Sequence, residues 1–252
     1  MLFVMVQHLS AADANKDSLR SIIKTSTDVK ERVDALNALA FEYRRGDLDS
    51  GIYYTRQAYA LSTSINYKTG IGAYYECMGV FLFYDNSDTA LVLFRKAIDY
   101  YTLDNNQEKR RAALANMCNV FISANEYDSA LYYAHYTLQS FQGEKVKNRA
   151  KNENSIMWLY QSLGNIFYYK SVYDSSLFYN YKGLEMANTA NDENAKATFY
   201  SGIGNVYIQL GEYDKSIEAH LKWKNIALQL RNYRGYVLAL TNLADSHIEK
   251  GE

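Results

Sequence analysis

Apolar residues recur along this chain at steps of three, one and three, and the pattern returns five times. Leu36, Leu39, Ala40 and Tyr43 give the first stripe, Tyr74, Cys77, Met78 and Phe81 the second, and Leu114, Met117, Cys118 and Phe121 the third. Tyr160, Leu163, Gly164 and Phe167 give the fourth, and Tyr200, Ile203, Gly204 and Tyr207 the fifth. Such steps keep all four residues on one face of an α-helix, so each stripe predicts a helix, here called helix A. A short polar turn follows, as in QLGEYD (Gln209 to Asp214), and then a second helical stretch, helix B, which in the fifth unit runs from Asp214 to about Leu230.

Helix B opens on nearly the same phrase each time: SDTAL from Ser87, YDSAL from Tyr127, YDSSL from Tyr173 and YDKSI from Tyr213. Its small residue stands at Ala90, Ala130, Ser176 and Ser216, at intervals of 40, 46 and 40, and Gly51 lies 39 residues before Ala90. A fixed period of this size marks a stacked repeat array. Asp49, Asp88, Asp128, Asp174 and Asp214 are expected just ahead of each helix B, capping its free N–H groups. The small residues are expected to face helix A where it carries Gly, Met or Cys, bringing the axes within about 8–10 Å. Gly164 and Gly204, each costing up to about 1 kcal/mol inside a helix, are expected to be kept for that closeness. Asn66, Asn106, Asn152, Asp192 and Asn232 form a column expected to hold a left-handed stop or a tight turn at the end of helix B. The six residues that stretch one interval to 46 fall around Gly143 to Arg149 and read as a loop.

The segments LGNIFYYKSVYDSSL and IGNVYIQLGEYDKSI resemble the tetratricopeptide repeat family, with its Leu-Gly-x-x-Tyr, Gly-x-Tyr and Ala positions. The resemblance covers about Val29 to Glu252, as five helix pairs plus the first helix of a sixth (Leu240, Leu243, Ala244, His247). Serine replaces the alanine in both segments, no proline closes the repeats, and the period is about 40 rather than the family's 34. The longer period is similar to that of bacterial peptide-sensing regulators and kinesin light chain. The resemblance implies an all-α fold, a right-handed superhelical solenoid of stacked antiparallel helix pairs. Residues 29–252 are expected to form a single array, preceded by an N-terminal segment, 1–28. MLFVMVQHLSAADA, apolar and then small, reads either as the remnant of an export signal or as a frayed first helix; Leu2 to Val6 is short, and no Lys or Arg precedes it. The outer face of the sixth helix A (Leu243, His247) lacks a partner, so a longer natural chain is expected.

In the resembling family the other face of helix A lines a concave groove. The positions that match are Tyr75 in the second unit, Asn119 in the third, Trp158, Gln161, Asn165, Tyr168 and Tyr169 in the fourth, and Ser201, Asn205, Ile208 and Gln209 in the fifth. The resemblance implies that Asn119, Asn165 and Asn205 grip the backbone of an extended peptide, since an amide donates and accepts at once. Asparagine also stands there in repeats that hold no peptide. The family's clamp for a C-terminal carboxylate needs lysines and an arginine where this chain has Ala115, Gln161, Ser201, Trp158 and Thr198, so no such clamp is expected. The expected function is a non-catalytic module that holds a protein or peptide segment. The alternative is a sensory domain of a longer bacterial signalling or transcription-regulatory protein.

Composition narrows the rest. With a net charge of −1 there is no electrostatic case for nucleic acid, and no apolar run of about 18 residues would span a membrane. Nothing nucleophilic or acid–base is arranged for catalysis, and no cofactor or metal is implied. His8, His135, His220 and His247 fall in different units and read as packing or surface residues. Cys77 and Cys118 lie on buried stripes and read as packed thiols without metal-ligand spacing. The chain has no proline and 25 tyrosines; the pairs Tyr53–Tyr54, Tyr132–Tyr133 and Tyr179 with Tyr181 read as packing between repeats. Lys145, Lys147, Arg149 and Lys151 read as a solvated loop. Exported and cytoplasmic settings stay equally open.

Overall fold

The computed structural model describes residues 15–44, 46–83, 85–141 and 149–251. The export-signal reading of the first fourteen residues and the lysines at 145 and 147 lie outside them. All regular structure among the described residues is helical. Residues 15–25 form α1, followed by α2 (Val29–Glu42), α3 (Leu48–Ser64), α4 (Lys68–Leu82), α5 (Ser87–Leu103), α6 (Gln107–Ser123) and α7 (Tyr127–Gln139). Then come α8 (Arg149–Tyr169), α9 (Tyr173–Thr189), α10 (Glu193–Gln209), α11 (Tyr213–Gln229) and α12 (Tyr233–Lys250). None of these helices is long and apolar enough to cross a membrane. The chain divides into two compact units, Met1–Val120 and Phe121–Glu252.

In the first unit α2 packs on α3 and α4 on α5, while α4 also contacts α3 and α2. Val33, Leu36 and Ala58 form one core cluster, Ala40, Cys77 and Phe81 a second, and Ala97, Tyr101 and Ala113 a third. Cys77 and Cys118 are buried thiols not joined in a disulfide, and burial pushes both up to about 12. Tyr67, which precedes α4, gives no side-chain cap. Asp104, at the end of α5, does so instead: its Oδ2 accepts from the Thr69 backbone N–H at 3.1 Å and from Thr69 Oγ1 at 2.5 Å.

In the second unit each helix packs on the next from α7 to α12, and α10 also touches α8 and α12. Its core joins Met157, Leu184, Phe199, Ile203 and Ala219. Ser176 and Ser216 are fully buried, and each Oγ donates to a helix A carbonyl, Gly164 O at 2.7 Å and Gly204 O at 2.9 Å. A hydroxyl replaces the family's methyl here without being buried unpaired. A Cβ on Gly164 would lie 2.7 Å from Asn180 Nδ2, and one on Gly204 would lie 2.4 Å from His220 Cε1. The two glycines therefore make room for the side chain four residues beyond each serine.

The turns differ from the expectation. Asp49, Asp88, Asp128, Asp174 and Asp214 are the second residues of α3, α5, α7, α9 and α11, inside the first turn and not ahead of it. Asp47 and Asn86 cap α3 and α5, accepting from Ser50 N at 3.0 Å and Thr89 N at 2.8 Å. Helices α7, α9 and α11 follow Glu126, Val172 and Glu212, none with a side-chain cap bond. A carboxylate in the first turn still meets the positive end of the helix dipole. Two of the five also bridge repeats: Lys170 Nζ lies 2.5 Å from Asp128 Oδ1, and Lys250 Nζ 2.9 Å from Asp214 Oδ1.

The column of Asn and Asp is corrected in the same way. Only Asn66 among its members is left-handed, with φ 54°. Elsewhere the left-handed residue comes one place earlier, at Asn105, Asn191 and Arg231, and equivalent residues, Asn125, Ser171 and Gly211, close helices A. Ser171, Asn191, Gly211, Arg231 and Gly251 thus fall every 20 residues. The residue after each of the first four donates back five positions: Val172 N to Phe167 O, Asp192 N to Ala187 O, Glu212 N to Tyr207 O and Asn232 N to Ala227 O, at 2.8–3.0 Å. This is the Schellman stop. Asn106, Asp192 and Asn232 then cap the following helix, accepting from Lys109 N, Ala195 N and Gly235 N at 3.0–3.1 Å. Asn152 lies within α8. That helix has 21 residues against 17 in α10, so part of the insertion read as a loop is an added helical turn beginning at Arg149.

Candidate functional site

Helices α8, α10 and α12 are the helices A of the second unit; α8 packs on α9, α10 on α9 and α11, and α12 on α11. Gln161 and Asn165 of α8 and Ser201 and Asn205 of α10 line one cavity of about 380 Å³, together with Asn180, Asn194, Thr198, Trp223, Asn232 and Arg234. Asn180 is its floor. The side chain is 2% exposed, and Nδ2 donates to Ser176 O at 2.9 Å. A Cβ on Gly202 would lie 2.4 Å from its Oδ1, so glycine at that position keeps the floor open. Arg234 carries the only charge among the residues lining this cavity.

A second cavity, of about 410 Å³, continues along the same helices and shares Asn205 with the first. Tyr168, Ile208 and Gln209 line it with Asn242, Asp245, Ile248 and Glu249. Asn242 Nδ2 donates to Asn205 Oδ1 at 2.8 Å, so the amide pair stands where the cavities meet and leaves Asn205 Nδ2 available to a ligand. Burial raises the Tyr168 phenol above its usual value, and Gln209 hydrogen-bonds it. The charges here are both negative, Asp245 and Glu249.

The remaining residues expected in the groove stand elsewhere. Trp158 is 39% exposed on α8 and lines neither cavity. Tyr169 turns to stack on Tyr127, with ring centroids 5.5 Å apart. Tyr75 and Asn119 belong to the first unit. Tyr75 sits there among Tyr59, Tyr74 and Tyr100, under Lys96 at 5.3 Å, and burial pushes its hydroxyl up to about 12. Asn119 is exposed on α6.

Sequence reasoning missed Asn180, Trp223, Arg234 and Glu249. The first two lie on helices B, α9 and α11, whereas the groove was expected from helices A alone. Their signal lay in the register, because Asn180 and His220 occupy one column where α3, α5 and α7 carry Thr55, Phe94 and Ala134. Arg234 and Glu249 lie on α12, where Asp245 replaces the asparagine of Asn119, Asn165 and Asn205. His220 is fully buried, neither ring nitrogen is hydrogen-bonded, and burial lowers its pKa to about 4 against the opposing pull of Asp245. Among the described residues no cluster of His, Cys, Asp and Glu is arranged to hold a metal.

No protein-family model matches the chain, and no curated protein matches its sequence. Solved structures match its fold. The Rap protein complexed with Competence and Sporulation Factor aligns with TM-score 0.69 at 14% identity, over 91% of this chain and 66% of that one. The apo quorum sensor NprR from B. thuringiensis aligns with TM-score 0.69 at 16% identity, over 95% and 66%. The kinesin light chain TPR-like repeats from Podosopora anserina align with TM-score 0.60 at 8% identity, over 82% of this chain and all of that one. The fold is therefore that of the tetratricopeptide-like helical repeat proteins.

Proposed function

We propose that this chain is a non-catalytic module that holds an extended peptide or protein segment along α8, α10 and α12. The observation that carries the reading is the convergence of Gln161, Asn165, Asn180, Asn194, Ser201 and Asn205 on one cavity. Side-chain amides there can meet both the N–H and the C=O of a peptide group. The Rap–factor complex and the quorum sensor NprR, similar in fold, support the same reading by likeness alone.

The test is selection from a soluble mixture of synthetic random heptapeptides, with retained peptides identified by mass spectrometry and titrated by calorimetry. Replacing Asn165 and Asn205 together by Ala leaves the circular dichroism unchanged and weakens the retained peptides about tenfold or more, since each lost hydrogen bond is worth about 1 kcal/mol. Equal affinity for the double variant would sink the proposal.

A further inference from the structure

Resting on that reading, we infer that the groove of the second unit is polarised and takes a short peptide in one direction, C-terminal carboxylate at Arg234 and N-terminal amine at Asp245 and Glu249. The two cavities form one continuous track, joined at Asn205 and bounded at opposite ends by opposite charges. No acid lines the Arg234 end, no base lines the other, and only uncharged side chains lie between. None of the three charged residues forms a salt bridge among the described residues. Lys250, the lysine in the last turn of α12, is held by Asp214 at 2.9 Å.

The dipole of α12 points the same way. Arg234 lies in its first turn, at the positive end, and Asp245 and Glu249 lie in its C-terminal half, towards the negative end. Carboxylate and amine are thus each favoured by a side chain and by the backbone. Alignment in the reverse direction sets like charge against like at both ends, which is how a site rejects a wrong pose.

The track also sets a length. At 1.5 Å rise per residue, Asp245 lies roughly 16 Å and Glu249 roughly 22 Å along α12 from Arg234. An extended chain advances about 3.3 Å per residue, so both ends are reached by a peptide of roughly five to seven residues.

The experiment uses peptides selected from the heptapeptide mixture, resynthesised with free ends, with an acetylated N-terminus, with an amidated C-terminus, and shortened to three residues. Acetylation and amidation should each weaken binding at least fivefold, and shortening should weaken it more. Arg234→Gln should abolish the penalty for amidation while leaving that for acetylation. Asp245→Asn with Glu249→Gln should do the converse. Circular dichroism on each variant confirms the fold. Affinity indifferent to both end groups, or Arg234→Gln cancelling the acetylation penalty instead, overturns this inference and leaves the proposed function standing. No retained peptide at all overturns both.

Discussion

At the scale of single residues, the most informative side chain is His220. Asn180 stands 40 residues earlier at the equivalent place and pairs with Ser176 O, whereas neither nitrogen of the His220 ring is hydrogen-bonded and the ring must stay neutral to stay buried. Its folded pKa, about 4, lies below the unfolded value near 6.5. The unfolded chain therefore binds the extra proton in that window, and stability falls as pH drops from about 6.5 to 4. The limiting loss is about 3 kcal/mol. Thermal melts between pH 7.5 and 4.5 should show it, and His220→Asn should flatten the dependence; an unchanged slope in the variant would refute this account. Glu76 works in the other sense. It accepts from Tyr101 Oη at 2.6 Å and from Asn116 Nδ2 at 3.1 Å, yet burial raises its pKa. It thus weakens the fold as pH climbs through and above the normal carboxylate range, and Glu76→Gln should be at least as stable as the parent at pH 7.

At the scale of elements, the stripes of helix A and the period of the array were legible in the sequence, because packing one face repeats the same spacing whatever the residue. The buried small residues and the glycines opposite them followed from the same register. The joints were legible only to within a residue or two. A column of Asn and Asp suits a left-handed stop and an N-cap alike, and only the Schellman bonds decide which residue does which. Those joints yield a prediction. Ser171 and Arg231 sit at φ 59° and 54°, where a residue with a Cβ carries roughly 1–2 kcal/mol of strain. Ser171→Gly and Arg231→Gly should each stabilise by about 0.5–1 kcal/mol after the added freedom of glycine in the unfolded chain is counted. That is about 1–4 °C in Tm. Asn191→Gly should gain less, since asparagine tolerates this conformation. Equal gains at all three positions would contradict the strain argument.

At the scale of the whole molecule, the α8 and α10 residues of the groove were legible in the sequence, but not the part taken by α12 or the charges it carries. Charge placement has no period, so a reading by repeats passes over it. A peptide seated there protects those helices by mass action, worth about 2.7 kcal/mol at one hundred times Kd. Hydrogen exchange with a selected peptide bound should slow in α8, α10 and α12 and remain unaltered in α2 to α5; uniform slowing would point to a different site. The left-handed joints have a consequence of another kind. Because Ser171, Asn191, Gly211, Arg231 and Gly251 are evenly spaced, a duplicated stretch of coding sequence can begin at any joint and end two joints later, and its product docks in phase. A duplication of one interval would instead set two helices A or two helices B side by side with their apolar faces mismatched. Arrays of this kind therefore lengthen by pairs of helices, and the breakpoint within a pair is free.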